Sequence, residues 1–136
     1  MNKTLEEWIE FYERKTGKKF KPEENYKLLY RPDKGFCEIS ASDNAILVGA
    51  VSGDGKFWKN SADLLARYMK FKFCRSICIR KNIRAYLRCF GYHITKIEEK
   101  NDLKYIESKN KDNKICGAFE CIFEDGSHGY FLHWQV

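Results

Sequence analysis

Between residues 64 and 97 the chain has no aspartate or glutamate, although nine lysines and arginines fall there: Arg67, Lys70, Lys72, Arg75, Arg80, Lys81, Arg84, Arg88 and Lys96. The whole protein of 136 residues carries 25 basic and 19 acidic side chains, a net charge of only +6. Its cationic excess is therefore concentrated in one quarter of the sequence. Such a stretch makes a lasting positive field whose natural counterpart is a polyanion or a phosphorylated ligand. It also suits a solvated face that keeps a small protein soluble. No apolar run approaches about 18 residues, which argues against a membrane span. The opening residues, with Asn2, Lys3 and Thr4, lack the apolar centre of a signal peptide. A cytosolic protein is expected.

The C-x-x-C motif is missing as well, despite six cysteines (Cys37, Cys74, Cys78, Cys89, Cys116 and Cys121). Cys74 and Cys78 lie in an alternating stretch, which sets them about 13 Å apart on a strand, too far for one zinc. Cys116 and Cys121 have odd separation and would point to opposite faces of one strand. Reduced cysteines used as small hydrophobes are the reading that follows. His93, His128 and His133 show no metal spacing either, so no metal is expected and no Ser-His-Asp arrangement can be inferred.

What is present is a globular composition, 43% hydrophobic and 15% aromatic, with a length that fits one domain over residues 1–136. Thr4 and Glu7 form a capping box, and Leu5, Trp8, Ile9 and Tyr12 follow at helical spacing until Gly17. Strands are expected over residues 26–30, 36–40, 45–51, 71–79, 92–97, 115–123 and 130–136. Ser61 is a good N-cap for a helix carrying Leu64, Leu65, Tyr68 and Met69. Asn82 can cap a short helix carrying Ile83, Tyr86, Leu87 and Phe90, stopped by Gly91. Residues 98–113 are polar and charged, as in a surface excursion. The alternation of strands and helices in the middle predicts parallel pairing by crossover, with antiparallel hairpins on either side.

An apolar strand running into Gly53-Asp54-Gly55, then helix, strand, and the segment Asn82-Ile83-Arg84-Ala85 closing on Phe90-Gly91-Tyr92, is similar to the GNAT family of N-acetyltransferases. It also resembles the compact GNAT-like proteins encoded by bacteriophages. The likeness spans residues 26–97. It implies an α+β fold with a mixed, mostly antiparallel twisted sheet of six to seven strands and about three helices. The implied activity is acyl transfer from acetyl-CoA to an amine acceptor. Backbone amides of Val51, Gly53, Asp54, Gly55 and Lys56 would face the cofactor's pyrophosphate, with Arg80 close to its phosphates and Asn82 beside its pantetheine arm. Tyr86 would supply the acid and Glu38 the base, the latter by holding a water.

Ala50 stands where the family pattern has Gln or Arg, which leaves a second expectation. In it the chain is a catalytically inactive, phage-type GNAT-like inhibitor of a host defence complex, or a nucleic-acid binder. Arg80, Arg84 and Arg88 fall at four-residue spacing and, with Lys81, would engage phosphates or an acidic protein groove.

Overall fold

The computed structural model describes residues 2–79 and 82–136. They hold three helices and eight strands, arranged in two compact units, Met1–Lys72 and Phe73–Val136. No helix among the described residues is long and apolar enough to cross a membrane.

The first unit starts with the capping box read from the sequence. Thr4 Oγ1 accepts the Glu7 N–H at 3.2 Å, and Glu7 Oε1 accepts the Thr4 N–H at 2.9 Å. They open α1, Leu5–Thr16, which ends where Gly17 turns left-handed at φ 71°. Three antiparallel strands follow: β1 (Lys27–Arg31), β2 (Gly35–Ser42) and β3 (Ala45–Gly53), in the order β1-β2-β3. Asp43 and Asn44, both at positive φ (51° and 61°), make the two-residue turn between β2 and β3. Residues 35–39 are buried without alternation, so both faces of β2 are covered. Phe36 meets the rings of Tyr12 and Phe20 at 5.9 and 5.0 Å. α2, Gly55–Tyr68, buries Trp58, Ala62 and Ala66.

The turn between β1 and β2 is held from two helices. Trp8 Nε1 of α1 donates to Pro32 O at 3.0 Å, and Trp58 Nε1 of α2 donates to Lys34 O at 2.9 Å. Beneath it Gly35 and Gly53 are register partners at φ 102° and 100°. A Cβ on Gly35 would sit 1.8 Å from Ser52 O, and one on Gly53 would sit 2.3 Å from Lys34 O. Only glycine fits either position.

The second unit contains β4 (Phe73–Cys78), α3 (Ile83–Cys89), β5 (His93–Lys100), β6 (Leu103–Lys109), β7 (Ile115–Ile122) and β8 (His128–Gln135). Its strands lie in the order β4-β8-β7-β6-β5, antiparallel throughout. One parity of side chains forms the core, including Cys74, Ile106, Ala118, Leu132 and Trp134, and Ile83 and Leu87 of α3 are also buried. All six cysteines stand as thiols, four of them buried.

The GNAT-like sheet of six to seven strands is overturned: among the described residues eight strands are present, three in one unit and five in the other. The extra strand is β6, inside the charged segment expected to be an excursion. Asn101 and Asp102, at φ 55° and 64°, turn β5 back into it as a hairpin. The run β4-α3-β5 makes no parallel pair, because β8, β7 and β6 lie between those two strands. α2 begins at Gly55, so Ser61 is inside it rather than at its cap, with Oγ donating to Phe57 O at 2.9 Å.

Replacing Gly35 by alanine should lower stability by well over about 1 kcal/mol, because the native φ and the space are both denied. Urea unfolding followed by tryptophan fluorescence reads this as a lower midpoint at unchanged slope.

Candidate functional site

The Gly53–Gly55 turn is engaged by its own chain. Ser52 Oγ donates to Trp8 O at 2.8 Å, and the Asp54 N–H donates to Lys34 O at 2.9 Å. Asp54 caps α2: Oδ1 accepts the Phe57 N–H at 3.0 Å, while Oδ2 meets Lys34 Nζ at 3.4 Å. A carboxylate of the protein thus occupies the helix start where a pyrophosphate was expected. Phe57's N–H, and then Lys34, hold the Asp54 carboxyl below its ordinary value of 3.8. Val51 is half-buried opposite Cys37, and Lys56 is exposed. Gly53 presents its bare face to β2. This geometry gives acetyl-CoA no support at the turn.

Glu38, the expected base, is 3% exposed. It sits where the β2–β3 register shifts, and each oxygen has a backbone donor: Ala50 N–H at 3.2 Å and Glu23 N–H at 2.9 Å. The carboxylate therefore ties the connector before β1 to the irregular stretch of β3. Burial and then the Glu38 charge push the neighbouring Cys37 thiol up to about 12. The buried thiol accordingly stays protonated at neutral pH.

Tyr86, the expected acid, is half-buried on α3 and packs edge-on against Phe90 at 4.8 Å. It belongs to the second unit and Glu38 to the first. Arg80 and Lys81 lie outside the described residues. Asn82 caps α3 by accepting the Ala85 N–H at 3.0 Å. Beside it opens a cleft of about 310 Å³, lined by Asn82, Ile83, Arg84, Ile97, Lys104, Ile106 and Tyr130. Two of the expected residues, Asn82 and Arg84, are thus brought together, and Lys104 and Tyr130 join them. Arg88 is exposed four residues along α3 from Arg84. Glu120 lies nearby, with Oε1 accepting the Lys104 N–H at 3.0 Å and Oε2 3.5 Å from His128 Nδ1. Burial and then Glu120 raise the Tyr130 phenol, while Arg84 works the other way.

A second surface was missed from the sequence. On the side of the five-stranded sheet away from its buried parity, Ile77, Phe131 and Phe119 are 54%, 40% and 47% exposed. The signal was present in strands whose two parities are both apolar, but only the tertiary structure reveals which parity stays bare. Among the described residues no group of three or more His, Cys, Asp or Glu could hold a metal ion.

Two outcomes follow. Asp54→Ala should cost about 1 kcal/mol at neutral pH, the usual worth of an N-cap. Because the folded carboxyl is depressed, this contribution is present above the ordinary 3.8 and fades as pH falls through the folded value. Urea midpoints of the two proteins should therefore converge in acid. Glu38→Gln leaves an amide facing a backbone donor and should cost about 1.5–3 kcal/mol, measured the same way.

No protein-family model, curated protein or solved structure matches this chain.

Proposed function

We propose that this chain is a nucleic-acid-binding protein whose second unit grips phosphates with the cations of α3 and its cleft. The observation that carries the reading is the pairing of Arg84 and Arg88, exposed on one helix, with the nearby carboxylate of Glu120 set against His128 instead. Among the described residues neither makes an ion pair; of the six found, only the Lys96–Glu98 pair draws on the basic stretch. Four residues of helix separate the two guanidinium groups by about 6 Å along the axis, so each can take a different phosphate. Lys104 adds a third charge across the cleft, and Asn82 and Tyr130 add polar groups beside the apolar floor of Ile97 and Ile106. Guanidinium groups suit phosphate because their planar donors bind it bidentately.

The binding reading is therefore preferred to acyl transfer, since the carboxylate of Asp54 fills the expected phosphate cradle. An exposed cationic row with no internal partner contributes little to folding, and its charges attract phosphates at long range.

Fluorescence anisotropy with a labelled oligonucleotide tests the reading. Affinity should fall steeply between about 50 and 200 mM salt, and Arg84→Ala with Arg88→Ala should flatten the log–log slope by about 1.5–2. Affinity that does not change with salt, or an undiminished slope in the double variant, sinks the proposal. Stronger binding to an acidic polypeptide than to the oligonucleotide would replace nucleic acid by a protein partner.

A further inference from the structure

We propose that the bare face of the second unit's sheet binds unpaired bases of single-stranded nucleic acid by stacking, an inference that rests on the nucleic-acid reading above. Strand register places Ile77 beside Phe131, Phe131 beside Phe119, and Phe119 beside Tyr105, one continuous row across β4, β8, β7 and β6. Neighbouring strands lie about 4.8 Å apart, so the three rings extend about 10 Å, room for two bases. Alternation sends these side chains to the side opposite Cys78, Leu132, Ala118 and Ile106, which are buried.

The rings are set rather than loose. Tyr105 and Phe119 have centroids 4.6 Å apart, and the Tyr105 ring lies over Gly117, where a Cβ would come within 3.0 Å of it. The Tyr105 hydroxyl donates to Glu107 Oε1 at 3.0 Å. Burial, and then that bond, push the phenol up to about 12, so it remains a neutral donor. In the next row Arg75 Nε donates to His133 Nδ1 at 3.2 Å, and Phe73 stacks on the same imidazole at 4.4 Å.

Charge selects the occupant. Residues of β4, β7 and β8 that point to this side include Arg75 and His133 and no carboxylate. Glu98 and Glu107 stand only on the outer strands β5 and β6, and each is engaged, Glu98 by Lys96 at 2.8 Å and Glu107 by Tyr105. Lys96, Lys100 and Lys109 border the same side. Exposed rings with Arg75 on the β4 side, and with Lys96, Lys100 and Lys109 on the outer strands around Glu98, the register partner of Tyr105, match a strand whose bases stack while its phosphates reach the rim. A duplex hides its base faces and cannot use the rings.

The test compares labelled single-stranded and duplex oligonucleotides of equal length with the full chain. Single strand should bind more tightly, and Phe119→Ala and Phe131→Ala should each weaken it about tenfold or more. Duplex binding should stay within about twofold of wild type, since phosphate contacts govern it. Phe131→Trp should retain single-strand affinity, and circular dichroism melts confirm that the alanine variants fold. Single-strand affinity equal to duplex, or unchanged in both alanine variants, overturns the stacking proposal while leaving salt-dependent binding intact. No binding to either probe overturns both readings. A wild-type dimer by sedimentation that Phe131→Ala dissociates, with no effect on single-strand binding, would assign the face to a second copy and overturn the proposal.

Discussion

The first unit depends on the close approach of two backbones at Gly35 and Gly53. With no Cβ on either side, β2 and β3 come near enough for the turn before β2 to lie within reach of both helices. Two indole N–H groups then add second donors to Pro32 O and Lys34 O, which already accept the Lys3 and Asp54 N–H groups at 2.9 Å. Tryptophan supplies such a donor while filling apolar space with the rest of its ring. The same approach fixes where β3 stops and α2 starts, because Asp54 bonds to Lys34 O through its N–H and caps the helix with its side chain.

That constraint also decides what the Gly-x-Gly turn can do. A phosphate cradle needs amides that point outward and a helix start with donors to spare. Here Gly53 faces β2 and its partner Gly35, and the protein's own carboxylate, Asp54, caps the helix start. Glu38 tells a similar story, since an apparent general base becomes an internal tie once both oxygens have backbone donors. In both places a chemically suggestive residue type satisfies backbone N–H groups that helix and sheet leave without a partner.

The second unit is asymmetric. Small side chains such as Cys74, Cys116 and Ala118 make one side of its sheet a close-packed core. The other side keeps rings in water, flanked by cations. Antiparallel sheets tolerate one uncovered face when it is polar, and an apolar one marks a place where something binds. Its outermost strand, β5, is exposed along nearly its whole length and rich in charge, which discourages edge pairing.

By itself the sequence determined what local chemistry decides. The capping box at Thr4, the left-handed stop at Gly17, the Asn82 cap and seven of the strand regions were legible, because each rests on residues within a few positions of one another. Asn101-Asp102 was legible in principle as a two-residue turn, but the charge density around it suggested an excursion; charge is equally at home on an outer hairpin. Tertiary structure alone decided the rest. Ser61 lost the cap to Asp54 because a strand distant in sequence fixed the start of α2. Glu38 and Gly53 meet backbone groups brought in from elsewhere, the Glu23 and Ala50 N–H groups for one and the Lys34 carbonyl side of β2 for the other. Which parity of β4, β7 and β8 met the core was decided by tertiary packing. Propensity acts over a few residues, whereas burial and hydrogen-bond completion are settled only when the chain has closed on itself.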